Sequence, residues 1–156
     1  MLRGRVQWTM RYLISLLALA GVVVSALALR VHYSNDVEPC SINEKWDCGI
    51  VNHSPFAEIA GIPVAAIGIA GYLALAGLAL VRRRAVTLAA ALGGLAFALY
   101  LSHIERDVLM VWCLYCVISL GIITLISLLS TGWVAAEWIE RRRALVPAEE
   151  AGTGSD

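Results

Sequence analysis

Four long runs without any charged residue or histidine dominate this sequence and limit the folds that it can adopt. They are Tyr12–Leu29, Ile59–Val81, Ala85–Ser102 and Val108–Ala136, of 18, 23, 18 and 29 residues. A helix needs about 20 predominantly apolar residues to cross a bilayer core that is about 30 Å thick. Each of the first three runs therefore fits one crossing, and the fourth is longer than one crossing but too short for two.

The composition excludes the main alternatives to a membrane protein. Hydrophobic residues form 60% of the chain, charged residues form 15%, and the formal net charge is zero. A soluble domain is typically about 45–50% apolar and about 25% charged, and a helix that packs on its core keeps a polar face. A chain without net positive charge also lacks the basic surface with which proteins bind nucleic acid. We therefore predict an integral membrane protein that contacts lipid and has no nucleic-acid partner.

The predicted architecture is an all-α bundle of four transmembrane helices. Residues 12–136 form the membrane domain and residues 1–11 precede it; residues 137–156 lack apolar periodicity and form a tail that is predicted to be disordered. The first run also has features of a signal peptide, with a basic start and small residues at Ala26 and Ala28. Its apolar stretch is longer than the about 7–15 residues that a signal peptide usually has, which favours a retained span.

Positive charges concentrate in three segments that a four-span topology places on one side of the membrane. These segments hold nine of the twelve basic residues: Arg3, Arg5, Arg11, Arg82, Arg83, Arg84, Arg141, Arg142 and Arg143. Because cytoplasmic loops carry an excess of Lys and Arg, both termini of this multi-pass protein of the cell membrane are predicted to be cytoplasmic. The loop from His32 to about Glu58 and the short loop at residues 103–107 then lie outside the cytoplasm.

The long outer loop contains the pattern of a helix start. In Ser54-Pro55-Phe56-Ala57-Glu58, the serine suits the N-cap position and the proline suits the first helical position. We therefore predict a short interfacial helix in this loop. Pro63 is expected in the first turn of the second span, where a missing N–H group is tolerated.

All four cysteines fall on the predicted extracytoplasmic side, where disulfides persist. Cys40 and Cys48 lie in the long loop, and Cys113 and Cys116 form a Cys-x-x-Cys motif at the outer end of the fourth span. The spacing of the second pair places both sulfurs on one helical face. A helix that begins near Trp112 also directs its free N–H groups at Cys113, which stabilises a thiolate. The two pairs together suggest a relay of dithiols.

Other interpretations of the cysteines remain open at this point. The loop pair taken alone is compatible with a structural disulfide, and the second pair with two buried apolar cysteines. Four thiolates also suit zinc, but the long spacing of the loop pair disfavours a zinc site, and we predict no metal. A small structural or transporter-associated membrane protein with a disulfide-stapled loop is the alternative to a redox enzyme.

The ordered motifs resemble the vitamin K epoxide reductase family, specifically its bacterial quinone-reducing homologues without a fused thioredoxin domain. The matching residues are Cys40 and Cys48 with seven residues between them, Ser54-Pro55, Gly61-Ile62-Pro63-Val64 and Trp112-Cys113-Leu114-Tyr115-Cys116. With the four spans, the resemblance covers roughly residues 10–135. The DsbB type of disulfide generator is a poorer match, because it carries its Cys-x-x-Cys motif in the first outer loop.

The resemblance implies an enzyme that forms disulfides and reduces a membrane quinone, ubiquinone or menaquinone, held in the four-helix bundle. A separate thioredoxin-fold (DsbA-like) periplasmic protein would reduce the shuttle pair, Cys40 and Cys48. Cys48 would pass the reducing equivalents to Cys113, and the Cys116 thiolate would reduce the quinone. The implied catalytic residues are thus Cys113, Cys116, Cys40 and Cys48, and the implied quinone-binding residues are Cys116, Ser54 and Phe56.

Several positions lie outside this pattern or remain undecided. Leu120 stands where vertebrate members carry Tyr, and Val64 stands approximately where they carry Asn, so the resemblance implies quinone reduction rather than vitamin K epoxide reduction. The polar residues before the fourth span are compatible with a proton relay or with a solvated loop: His103, Glu105, Arg106 and Asp107. Tyr72 and Tyr100 are further candidates for contact with a quinone.

Overall fold

Five α-helices carry most of the chain in the computed structural model, which describes residues 2–34, 40 and 42–152. We number the helices in chain order: α1 (Leu2–Tyr33), α2 (Cys48–Asn52), α3 (Val64–Leu80), α4 (Arg84–Ile104) and α5 (Leu114–Gly152). The shorter elements are a 3₁₀ turn (Pro55–Ala57), strands β1 (Glu58–Ile59) and β2 (Ile62–Pro63), and a π-helical turn (Glu105–Leu109).

Three helical segments in the described part of the chain are long and apolar enough to cross a membrane. They are Gln7–Tyr33, Arg84–Leu109 and Leu114–Arg143. The remaining predicted span, Ile59–Val81, corresponds to α3, which has only 17 residues and is therefore about 26 Å long. Helix α3 is shorter than the predicted span, because residues 59–63 of that span belong to the antiparallel hairpin of β1 and β2. Ala60 and Gly61 have φ angles of +53° and +80° at the hairpin turn, a conformation that ends a right-handed helix.

Helix α1 packs against α3 and α5, and α4 packs against α3 and α5. The main core between them includes Ile14, Tyr72, Leu75 and Ile126. The Tyr72 hydroxyl donates to the Ser119 carbonyl oxygen at 2.9 Å, which satisfies this polar group within the bundle. A Cβ atom at Gly21 would lie 2.5 Å from the Tyr72 ring, so the glycine is what allows α1 to approach α3 closely.

The structure differs from the prediction at both ends of the membrane domain. Helix α1 begins at Leu2, and α5 continues to Gly152 through most of the tail that the sequence predicts to be disordered. Glu137 helps to extend α5, because it accepts a hydrogen bond from Arg141 four residues later, at 2.9 Å, and pairs with Arg84 of α4, at 2.7 Å. The predicted disorder of residues 153–156 lies outside the described residues.

The predicted short helix of the outer loop starts after Ser54, but it is not an α-helix. A single 3₁₀ turn, Pro55–Ala57, stands there instead, and the chain enters β1 directly after it. The Ser54 hydroxyl does not cap this turn, since it donates to the Val51 carbonyl oxygen at 2.8 Å. Pairing of Glu58 with Pro63 in the hairpin leaves no room for a longer helix. Pro63 occupies the N-cap position of α3 rather than its first turn.

Candidate active site

The outer loop is joined to the start of α5 by two backbone hydrogen bonds. The Trp112 N–H group donates to the Lys45 carbonyl oxygen at 2.8 Å, and the Asp47 N–H group donates to the Trp112 carbonyl oxygen at 3.1 Å. Cys48 follows Asp47 and Cys113 follows Trp112, so this parallel bridge sets the two cysteines side by side. The local pairing of two chain segments thus brings together residues that are 65 positions apart.

Three sulfur atoms meet at this point, and we call Cys40, Cys48 and Cys113 the sulfur cluster. Cys40 and Cys48 form a disulfide whose Cα atoms are 5.5 Å apart, within the usual range. The free Cys113 sulfur lies 3.3 Å from the Cys48 sulfur, and all three residues have 0% exposure. Thiol–disulfide exchange requires a thiolate to reach one sulfur of the disulfide. The geometry therefore suits exchange between Cys113 and Cys48.

The sulfurs of the cluster lie within 4.8 Å of one another, a separation that would also suit a metal ion. Metal binding requires deprotonated cysteines. In this form two of the three sulfurs are joined in the Cys40–Cys48 disulfide, so only Cys113 offers a thiolate. The arrangement present in the structure is that of a redox site.

Helix α2 frames the sulfur cluster from the loop side. The Asp47 carboxylate caps the helix by accepting from the N–H group of Gly49 at 2.8 Å. At the other end, the buried Asn52 amide donates to the Cys48 carbonyl oxygen at 2.9 Å and to the Cys113 sulfur at 3.7 Å. The N–H donor stabilises negative charge on the Cys113 sulfur, so Asn52 belongs to the site.

Cys116 lies one turn deeper in α5 and connects the sulfur cluster with a buried acid. Its thiol is within hydrogen-bonding reach of both the Cys113 sulfur and the Glu105 carboxyl group. Cys113 precedes the span that begins at Leu114. The hydrogen bond from Cys116 lowers the pKa of the Cys113 thiol, and this effect outweighs burial of the sulfur, which acts in the opposite direction. Near neutral pH, a larger fraction of Cys113 is therefore in the nucleophilic thiolate form than of an ordinary cysteine.

A mainly apolar cavity of about 350 Å³ opens beside Cys116. The three residues that the resemblance assigns to quinone binding, Cys116, Ser54 and Phe56, all line it, and so do Asn52 and Glu105. The remaining walls come from α1, α3, α4 and α5 and include Tyr72. Ligand cavities in proteins are typically about 300–1,000 Å³, apolar and with a few polar groups. The cavity thus suits an apolar molecule placed against Cys116.

A comparison with models of protein families gives a match that spans all four cysteines. The model of the vitamin K epoxide reductase family matches residues 12–131, which is most of the chain. The protein belongs to this family. No curated protein matches the chain. As a member of the vitamin K epoxide reductase family with several apolar helices, the protein is a multi-pass membrane protein and an oxidoreductase.

In this family member, sequence reasoning identified the cysteines but missed Asn52, and it named Glu105 only within a set of four polar residues compatible with a proton relay or with a solvated loop. The residue type of Asn52 suggests only a turn. Its position four residues after Cys48 would, however, place both residues on the same face of a short helix. Glu105 stands in a run of polar residues whose other members are exposed, and no sequence signal separates it from them. The structure distinguishes them, because Glu105 is 2% exposed whereas the Arg106 side chain is 73% exposed. Tyr100, considered as a quinone contact, is 59% exposed.

Proposed function

We propose that the protein is a quinone-dependent thiol oxidoreductase that generates disulfides in a separate thioredoxin-fold (DsbA-like) protein. The observation that carries this proposal is the contact of 3.3 Å between the Cys113 sulfur and the Cys48 sulfur, with Cys48 in a disulfide with Cys40. Cys116, the fourth cysteine, faces the apolar cavity. The four cysteines thus form a continuous path from the outer loop to a lipid-soluble acceptor.

The first half of the cycle oxidises the protein partner. A thiolate of the reduced partner attacks Cys40, which releases the Cys48 thiolate, and the second partner thiol then resolves the mixed disulfide. The partner leaves with its new disulfide, and the shuttle pair is reduced. Each step exchanges one S–S bond for another, so no free electron appears.

The second half transfers the electron pair to the inner cysteines. The Cys48 thiolate attacks Cys113 in an oxidised Cys113–Cys116 pair, over the sulfur–sulfur contact described above, and releases Cys116 as the thiolate. Cys40 then attacks Cys48, restores the loop disulfide and leaves Cys113 reduced. A bound quinone accepts two electrons and two protons in all. The apolar walls, Phe56 and Ser54 would hold its ring against Cys116.

The orientation proposed from the charges has support in the arrangement of the helix ends. Arg84 of α4 pairs with Glu137 of α5 at 2.7 Å, so two of the three arginine-rich segments meet at one end, which we call the arginine end. The sulfur cluster lies at the start of α5, away from that end. With the arginine end in the cytoplasm, both termini are cytoplasmic and the cysteines are extracytoplasmic. A reporter active only in the cytoplasm should work when fused after Arg143 and fail when inserted near Asn43.

The direct test uses the purified full-length protein in detergent. It is supplied with a reduced DsbA-like protein as the donor and, in parallel reactions, with a short-chain ubiquinone or menaquinone analogue. We expect quinol to appear in equal amounts with the disulfide of the donor. Reactions without quinone should stop once the protein's own disulfides have been consumed. Donor oxidation that continues at the same rate without quinone would contradict the proposal.

A further inference from the structure

Glu105 is a buried acid between the inner cysteines and the cavity. Its side chain is 2% exposed, and its Oε2 atom accepts from the Cys113 N–H group at 3.1 Å. The same carboxyl group is close enough to the Cys116 thiol to act on it, and both residues line the cavity. One titratable group therefore touches the reacting sulfur and also faces the place where a quinone would bind.

The surroundings of Glu105 suit a group that gains and loses a proton. Among the described residues, the ion pairs involve other acids, namely Glu58, Asp107 and Glu137, and none reaches Glu105. An ionised carboxylate without a cation is costly in a buried site, and a protonated carboxyl group can donate a hydrogen bond as well as accept one. A purely structural role would need only an acceptor for the Cys113 N–H group.

The backbone turns Glu105 inward while the two residues that follow it point outward. Residues 105–109 form a π-helical turn, which Met110 ends with a φ of +54°. The Val111 N–H group donates to the Glu105 carbonyl oxygen at 3.2 Å, and this closes the turn. Arg106 and Asp107 are exposed, whereas Glu105 is buried. Turns of this type occur frequently at functional sites.

We propose that Glu105 is a catalytic proton carrier that takes the proton of the Cys116 thiol and delivers it to a quinone oxygen. The inference rests on the proposed function. Cys113 begins as the thiolate, and Cys116 becomes one by protonating the Glu105 carboxylate. The two sulfurs then form the Cys113–Cys116 bond as two electrons pass to the quinone. One proton reaches the quinone from Glu105 and the second from water at the outer end, so that a neutral quinol and a disulfide are formed.

The first test compares Glu105→Gln with the unaltered protein, using dithiothreitol as the donor and a short-chain ubiquinone analogue as the acceptor. Glutamine keeps an acceptor for the Cys113 N–H group, but its side chain neither takes up nor releases a proton near neutral pH. We expect quinone reduction to fall about a hundredfold, as is usual when a general acid or base is removed. Asp107→Asn is the matched control, because Asp107 is exposed, lies two residues away and pairs with His103. Its turnover should match that of the unaltered protein.

The second test needs no quinone and follows alkylation of the reduced Cys113 by iodoacetamide as a function of pH. The Glu105 carboxylate opposes the lowering of the Cys113 pKa that the Cys116 hydrogen bond causes. In Glu105→Gln the Cys113 profile should therefore move to lower pH, although quinone reduction becomes slower. A variant that only disturbs packing would not make the thiolate easier to form while turnover falls.

A third variant, Glu105→Asp, keeps an acid and should recover part of the turnover that Glu105→Gln loses. Equal losses in the Asp and Gln variants would overturn the assignment, and so would turnover of Glu105→Gln within about twofold of the unaltered protein. If the unaltered protein itself fails to reduce quinone with dithiothreitol or with the protein donor, the proposed function fails instead. The two failures are thereby distinguished.

Discussion

At the arginine end of the bundle, Arg84 pairs with Glu137 at 2.7 Å and donates to the Gln7 side chain at 2.9 Å. At the opposite end, Glu105 is buried beside the inner cysteines, and its partners are an N–H group and a thiol. At the first end, Glu137 pairs with Arg84 and Arg141 at a partly exposed surface. The second end keeps an acid and a nucleophilic sulfur free of ion pairs among the described residues. Groups that must change protonation state are thus kept apart from groups that only anchor the helices.

The largest effect is expected when one of the inner cysteines, Cys113 or Cys116, is removed. Cys113→Ser and Cys116→Ser should each reduce quinone turnover to background with every thiol donor, because each removes one sulfur of the terminal pair. Quinol formation followed by absorbance measures the effect. Retained turnover in Cys116→Ser would show that Cys116 is not the thiol that faces the quinone. The same variant should also trap a Cys48–Cys113 disulfide, visible as a shift on a non-reducing gel.

The loop pair provides the next largest effect. In the double variant Cys40→Ser, Cys48→Ser, oxidation of the protein donor should be lost, because a folded partner cannot reach a sulfur buried at the start of α5. Dithiothreitol is small and can reach Cys116 from the cavity, so quinone reduction with this donor should persist. If the disulfide only braces the loop, both activities should instead decline together with the amount of folded protein. Oxidation of the protein donor at the unaltered rate would contradict the relay.

A smaller effect is expected in the pH dependence of Cys113. The hydrogen bond from Cys116 is the main cause that lowers the Cys113 pKa, so Cys116→Ala should raise it. At a pH between the Cys113 pKa of the unaltered protein and that of the variant, a smaller fraction of Cys113 is thiolate in the variant. Iodoacetamide should then react more slowly with the reduced variant. Mass spectrometry of the alkylated peptide measures the profile. A profile that does not move would refute the hydrogen bond between the two sulfurs.

The arginine end should give the smallest effect. Glu137→Gln removes the ion pairs with Arg84 and Arg141, which lie at a partly exposed surface. We expect a loss of at most about 1 kcal/mol in the free energy of unfolding, measured by thermal denaturation in detergent, and no change in quinone turnover. A large loss of turnover in this variant would show that the two ends are coupled, in contrast to the division described above.

Some parts of the fold and of the site could be predicted from the sequence, and others could not. Apolar runs without charge predict helices well, because a missing polar face is visible in one dimension, and the paired cysteines identify the chemistry by residue type. The shortening of α3 depends on the backbone at Ala60 and Gly61, which an apolar run conceals. The extension of α5 depends on a contact of Glu137 with Arg84 from another helix. The inward turn of Glu105 depends on a π-helical turn, so the sequence alone left this residue undecided between a proton relay and a solvated loop.

The complete burial of the sulfur cluster has a consequence for selectivity. An oxidising disulfide in an aqueous compartment is open to every thiol present there, and unselective reduction would drain electrons into the quinone pool without any benefit to protein folding. Cys40 and Cys48 have 0% exposure, so dissolved thiols cannot reach the disulfide directly. The apolar cavity leads to Cys116 instead, and a charged thiol such as glutathione is excluded from it by the cost of its desolvation. Burial therefore excludes small charged thiols as electron donors and favours a protein that can rearrange the loop on docking.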